Sequence, residues 1–217
     1  MTVVLLDGSQ TGGPSADAAL GPRLLRDGAD REYLRIFSPA PTAAFSRRDT
    51  LRPGCPDAEE AVRAAGFTPV LRPQGGTLAL YHEGSVVVDH VCRTPDASRD
   101  PVRRFRRFAA MHAAVLTGLG VDARIGAVPG EYCPGEYSIN AGGAVKVVGS
   151  AQRVTRDGWL FSTVFQVTGA GRLRAPLTAA YAALGYDFDP ATVGALETVP
   201  VEAVTAALTD AYSMLRA

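Results

Sequence analysis

The segment TPVLRPQGGTLALYHEGSVVVDHV, residues 68–91, decides the fold class. Its apolar residues come in short runs rich in Val and Leu, and each run stops at a turn signal, first Gly75-Gly76 and then Glu83-Gly84. The pattern predicts strands on both sides of both turns. Neither Gly75-Gly76 nor Gly142-Gly143 has the G-x-G-x-x-G spacing that opens a helix under a dinucleotide, which argues against a Rossmann reading.

Working outward, SADAALGPRLLRDG (15–28) predicts a helix in a loosely packed lead-in, with Leu20, Leu24 and Leu25 on one face. YLRIFSPAPTAAFSRR shows two short apolar runs about a Pro-x-Pro turn, and DAEEAVRAAG predicts a helix capped by Asp57 and closed by Gly66. Asp100 to Gly120 predicts the longest helix: Pro101 suits its first turn, and Val102, Phe105, Phe108, Val115 and Leu119 recur at helical spacing. Its other face carries Arg103, Arg104, Arg106 and Arg107, a solvated face or a docking patch for an acidic partner. Next come strands in YSINAGGAVKVVGSAQRVT and GWLFSTVFQV, joined by a hairpin turn at Arg156-Asp157-Gly158, and two helical segments near LTAAYAAL and PVEAVTAALTDAYSML. Strands paired as hairpins and interrupted by one long helix imply an α+β domain, a mixed β-sheet with packed helices. The expected layout is a single domain over 1–217, with its core at about 31–170 and C-terminal helices at 175–217.

The 22 cationic and 22 acidic side chains cancel, which disfavours a protein whose affinity rests on neutralising nucleic-acid phosphates. MTVVLLDG has no basic leader, and its apolar run is too short for a membrane span. Cys55, Cys92 and Cys133 form no CxxC pair, so the expected compartment is a reducing cytoplasm with free thiols. No group of residues has metal-ligand spacing, and no cofactor is expected.

One residue type stands out. The 22 cationic side chains comprise 21 arginines and a single lysine, Lys146. Only an amine can lose its proton or act as a compact donor beside a reacting carbonyl, so the exception has a local reason. Lys146 lies between Val145 and Val147, ahead of the small residues Gly149, Ser150 and Ala151, which allow close approach to the backbone. Thirteen residues earlier, Cys133 stands in the Gly- and Pro-punctuated loop GEYCPGEY. A loop thiol near an ammonium is either a small buried hydrophobe or a nucleophile. Cys92 reads as packing and Cys55 as incidental. His112 reads as a core imidazole, while His82 is a candidate proton carrier. Ser150 has no nucleophile-elbow spacing.

Three blocks, in order, resemble the lipoate-protein ligase and octanoyltransferase family, which shares its fold with biotin protein ligases in the class II aminoacyl-tRNA synthetase/biotin ligase superfamily. They are AFSRRDTLRPGCPDAEEAVRAAGFTPVLRPQGGTLALYHEG (44–84), YCPGEYSI (132–139) and KVVGSAQRV (146–154). The loop at Cys133 is most similar to cysteine-type octanoyltransferases that take octanoyl from the glycine-cleavage H protein, whereas GSAQ after Lys146 is nearer to those that take it from acyl carrier protein. His82 stands where the first subgroup has Asp, and Tyr81 where ligases often have His.

The resemblance implies catalysis by Cys133 and Lys146, with substrate contacts from Arg72, Gly75, Gly76, Leu78, Leu80, His82, Gly149, Ser150 and Gln152. It implies a cytoplasmic enzyme that moves octanoyl or lipoyl from a carrier protein to the lysine of lipoyl domains of 2-oxoacid dehydrogenases through a Cys133 thioester. An acyl tunnel lined by Leu78, Leu80, Val86 and Val88 is expected. The alternatives are an ATP-dependent lipoate-protein ligase and a non-catalytic acyl-group binding protein.

Overall fold

In the computed structural model, which describes residues 3–6, 8–29, 31–95, 97 and 99–215, the strand predicted after Glu83-Gly84 is β6 (Ser85–Arg93). β6 lies antiparallel between β2 (Glu32–Phe37) and β10 (Gly158–Gln166). Beyond β10 follow β9 (Val145–Thr155), β8 (Ile139–Ala141) and β7 (Ala123–Ile125), and beyond β2 the strand β1 (Val3–Leu6) runs parallel to it. One mixed sheet of seven strands results, in the order β1-β2-β6-β10-β9-β8-β7. The strands that flank Gly75-Gly76 do not join it. β4 (Thr68–Leu71) and β5 (Ala79–Tyr81) pair instead on either side of β3 (Thr42–Phe45), parallel and antiparallel respectively. The change of sheet is made at the tight turn between β5 and β6, where Ser85 N–H donates to His82 O and a Cβ on Gly84 would strike Thr168 and His82.

The helices are α1 (Gly13–Asp27), α2 (Cys55–Ala64), α3 (Pro101–Gly118), α4 (Gly171–Leu184) and α5 (Val201–Met214). α3 begins with Pro101 in its first turn, as predicted, and the structure adds a cap: the Asp100 carboxylate accepts from Arg103 N–H. α2 does not, since it starts at Cys55 with Gly54 as its N-cap, and Asp57 sits inside the first turn. Cys55, read as incidental, is therefore buried at a helix start. The lead-in is more ordered than expected, because it supplies both an edge strand and a helix packed on the sheet. The ends of the predicted 1–217 domain fall on residues 1, 2, 216 and 217, outside the described residues.

The large sheet has two unlike faces, set by the period of two along each strand. On one face Val86 and Val88 of β6 and Phe161 and Phe165 of β10 pack with Phe108 and Leu116 of α3 and Val204, Leu208 and Tyr212 of α5. His112 is fully buried in this core as predicted, bonded to Tyr212 Oη at 3.0 Å, and burial pushes its pKa down to about 3. A second core joins the small sheet to α2 and α4 through Phe45, Val62, Leu78, Leu80, Leu173 and Leu177. Each fully buried side chain of this kind stabilises the fold by about 1.5–3 kcal/mol.

Candidate active site

The other face of the large sheet is the floor of a cavity of about 440 Å³, closed by α1, the small sheet and the 131–138 loop. That size is typical of a small-molecule site. Strand register arranges its floor in two rows. Phe37, Val87, Val164 and Gly149 are successive cross-strand partners on β2, β6, β10 and β9, and form an apolar row. One step along the strands lies the row Arg35, Asp89, Ser162 and Ala151. Arg35 is 1 % exposed and is held by Asp17 (2.7 Å) and Asp89 (2.6 Å). Ser162 Oγ donates to Asp89 at 2.6 Å and accepts from Gln74 Nε2 at 2.6 Å, so the chain of bonds runs from α1 to the segment before Gly75. A guanidinium this deep is tolerable because two carboxylates compensate its charge.

At the rim stand Gly75, Gly76, Pro134 and Glu136, all exposed, and beneath them Cys133. Cys133 adopts φ +43°, a conformation that L-residues rarely take. Its Sγ accepts from Thr77 N–H at 3.3 Å and from Arg72 Nη2 at 3.6 Å. Burial raises the pKa of this thiol, but the charges of Arg72 and Lys146 and the Thr77 hydrogen bond outweigh it, and the net shift is downward. Gly76, at φ +97°, is required here, because a Cβ would lie 2.7 Å from Arg72 Nη2 and 2.8 Å from the sulfur. Among the described residues, the N–H groups of Gly75 and Gly76 donate to no protein acceptor. A thiolate beside two free amides can attack an acyl carbon and accommodate the oxyanion that forms.

Lys146 and Cys133 are brought together, though by the lysine's grip on the loop. Lys146 is 2 % exposed, and Nζ donates to Cys133 O (2.7 Å), Glu131 Oε1 (3.0 Å) and Tyr132 O (3.1 Å). All three ammonium donors are thus engaged, which a planar guanidinium could not match in the same space. A register shift opposite Ile139 and Asn140 puts an extra residue in β9 between Lys146 and Val148, a bulge that re-aims the side chains beyond it. Gly149 leaves room for the lysine stem, since its Cβ would stand 3.2 Å from Lys146 Cε. Glu131, fully buried, also accepts from Val128 N–H, Gly135 N–H and Ser138 Oγ, and so organises the whole loop.

Several predicted contacts fall elsewhere. Leu78 and Leu80 face the α2–α4 core, and Val86 and Val88 the α3–α5 core, so none of the four lines the cavity. Their neighbours Ala79, Tyr81 and Val87 do, which is the alternation of a strand read one residue out of phase. His82 is also outside: it is buried in the turn after β5, with Nδ1 accepting from Gly84 N–H and its pKa lowered, chiefly by burial. Arg72, Gly75, Gly76, Gly149, Ser150 and Gln152 do line the cavity. Ser150 Oγ pairs with Thr163 Oγ1, and Gln152 is fixed by Arg104 Nε and Pro101 O. Arg104 therefore leaves the solvated arginine face, while Arg103, Arg106 and Arg107 remain exposed on it.

Tyr181 of α4 gave no sequence signal. Its hydroxyl donates its one hydrogen to Leu78 O (2.9 Å) and accepts from Cys133 N–H (2.8 Å) and Thr77 Oγ1 (2.9 Å), clamping the Cys loop to the segment after Gly76. Glu131, Arg35 and Asp89 were missed as well. The described residues contain no cluster of His, Cys, Asp and Glu able to hold a metal ion, and no helix long and apolar enough to cross a membrane.

Comparison with known proteins shows the family and the fold. The chain is 28 % identical over 144 residues to the octanoyl-[GcvH]:protein N-octanoyltransferase of Geobacillus kaustophilus, and 30 % identical over 139 residues to that of Exiguobacterium sibiricum. These matches cover 66 % and 63 % of the chain, and 50 % and 49 % of the relatives, so the chain spans about half the length of the curated relatives it matches. A solved structure of a putative lipoate protein ligase from T. acidophilum with bound lipoic acid superposes with a TM-score of 0.74 at 19 % identity, over 98 % of this chain and 84 % of the other, which establishes a shared fold. The family model described as the lipoyl protein ligase A/B catalytic domain matches residues 19–187, a span that holds the cavity floor, Cys133 with its Arg72 and Thr77 partners, Lys146 and Tyr181. By that match the chain belongs to the lipoyl protein ligase A/B catalytic-domain family.

Proposed function

We propose that this protein is an acyltransferase that moves an octanoyl or lipoyl group from a carrier protein to the lysine of a lipoyl domain, through a thioester on Cys133. The observation that carries the reading is the Cys133 sulfur, held between Arg72 and Thr77 N–H at the mouth of a cavity with an apolar row in its floor. The names of the relatives, each an octanoyltransferase acting on GcvH, favour a carrier-protein donor.

In the first half-reaction the thiolate attacks the acyl carbon, the Gly75 and Gly76 amides take the oxyanion, and the carrier leaves with a proton from water at the open rim. A C–S bond forms as the bond to the carrier breaks. In the second half-reaction the uncharged amine of the acceptor lysine attacks the thioester, gives up its proton to water, and releases the thiolate. No histidine lines the cavity among the described residues, so the base role expected of His82 is not carried forward. Lys146 acts as a brace and a fixed positive charge. The acyl chain lies along Phe37, Val87 and Val164, where each buried methylene contributes about 0.8 kcal/mol.

The test is the intact mass of the protein after brief incubation with octanoylated carrier. A hydroxylamine-labile octanoyl adduct that is absent in Cys133→Ala is the expected result. Absence of any adduct, with pyrophosphate released from ATP and free octanoate, would overturn the reading in favour of a ligase.

A further inference from the structure

We propose that the far end of the cavity is a subsite for a hydrogen-bonding group, so that the acyl chain this protein prefers ends in an uncharged hydroxyl or amide. The inference rests on the acyl-transfer reading and deepens it by naming the chemistry of the chain's end. The apolar row of the floor runs from Gly149, beside the Lys146 stem, across Val164 and Val87 to Phe37. At Phe37 it stops against charge, since the Arg35 guanidinium lies over that ring with Cζ 3.9 Å from its centroid. Asp89, the partner of Arg35, lies two strands and two residues from Gly149. At ordinary strand spacing and rise that is about 12 Å. Arg35 and Asp89 therefore meet the end of a medium-length chain and not its carbonyl.

Tyr81 lines the cavity from β5, and its phenol feels the charges of Asp89, Asp17 and Arg35. Burial pushes its pKa up, so the group stays an O–H donor. Tyr81 Oη has no hydrogen-bond partner among the described residues. Nor do Arg35 Nε and Asp17 Oδ2, both of which are buried. This end of the cavity thus holds more polar atoms than it pairs, whereas native interiors pair nearly all of theirs. A methyl group packed over the phenol would take it from water and give nothing back, while a hydroxyl or an amide would bond to it. Charge narrows the choice further. Two carboxylates, Asp17 and Asp89, stand against one guanidinium, Arg35, so a chain ending in a carboxylate would add an uncompensated negative charge. An uncharged group that both donates and accepts is the one that fits.

The test measures equilibrium binding of 8-hydroxyoctanoate, octanoate and octanedioate to the wild-type chain and to Tyr81→Phe, which keeps the ring and removes only the hydroxyl. The wild type is expected to bind the hydroxy acid about tenfold more tightly than octanoate, and octanedioate most weakly. In Tyr81→Phe the advantage of the hydroxy acid is expected to fall to about twofold or less. Equal binding of the hydroxy acid and octanoate, or an advantage undiminished in the variant, overturns the proposal. So does tightest binding of octanedioate, which would assign the end of the cavity to an anion. The melting temperature of Tyr81→Phe is expected to stay at or above that of the wild type; a fall would reveal a structural partner for the hydroxyl and overturn the proposal as well. Loading of Cys133 from octanoyl and 8-hydroxyoctanoyl H protein is measured in parallel. Preferential binding of the hydroxy acid with no loading from either donor overturns acyl transfer and leaves the subsite, whereas loading from both with equal binding overturns the subsite and leaves acyl transfer standing.

Discussion

The two faces of the large sheet use the same strands for opposite ends. Facing α3 and α5, β6 and β10 present Val86, Val88, Phe161 and Phe165 to a dry core. Facing the cavity, the alternate residues Val87, Asp89, Ser162 and Val164 form a floor that is half apolar and half polar, with an arginine buried at its edge. A period of two therefore separates stability from chemistry at single-residue resolution. The first face is held mainly by apolar packing, while the polar row of the second is held by hydrogen bonds and ion pairs from Arg35 to Gln74.

This contrast can be broken by substitution. Phe165→Ala on the core face is expected to cost about 3–5 kcal/mol in urea unfolding, and the adjacent Val164→Ala on the cavity face about 1 kcal/mol. Equal losses would mean that the cavity face is core. Lys146→Met is expected to be nearly as damaging as Phe165→Ala, about 3–5 kcal/mol, because it strands the fully buried Glu131 charge. Recovery of most of that loss in Lys146→Met/Glu131→Gln, read by thermal unfolding, would show that the charge and not the packing is responsible.

Tyr181→Phe removes one hydroxyl that serves Cys133 N–H, Thr77 Oγ1 and Leu78 O, and is expected to cost about 1–3 kcal/mol. It should also slow thioester formation, whereas Tyr212→Phe in the α3–α5 core should not. Arg72→Leu acts on charge more than on stability. It removes the strongest influence that lowers the Cys133 pKa, so the midpoint of iodoacetamide alkylation against pH should move up. The sign for stability follows, since a depressed thiol pKa adds stability above the ordinary thiol pKa and loses it as pH falls through the folded value; Arg72→Leu should flatten that dependence. The smallest effect is expected of Val164→Leu, which shortens the apolar row and shifts acyl preference by about 0.8 kcal/mol per methylene, seen in competition between octanoyl and hexanoyl donors.

Much of the site was legible because its signals were local. Gly75-Gly76 marked a turn, Gly149 a place of close approach, the lone lysine a special amine, and Cys133 stood in a punctuated loop. The misreadings were equally local in origin. Leu78, Leu80, Val86 and Val88 are more apolar runs than alternating ones, and such a run does not reveal which of its two faces meets a cavity. His82 failed because a histidine next to a glycine turn looks the same whether it faces a substrate or its own backbone.

The sequence by itself determined the α+β class, the long helix that opens on Pro101 and the β9–β10 hairpin, and it singled out Cys133 and Lys146 as candidates, since each depends on residues within a few positions of one another. Only the tertiary structure decided that β3, β4 and β5 form a second sheet, that Lys146 serves the loop carbonyls, and that Tyr181, Arg72 and Thr77 converge on Cys133. These depend on contacts between residues from 13 to 104 positions apart. Their partners are chosen by where the strands and helices pack, and no local pattern encodes that choice.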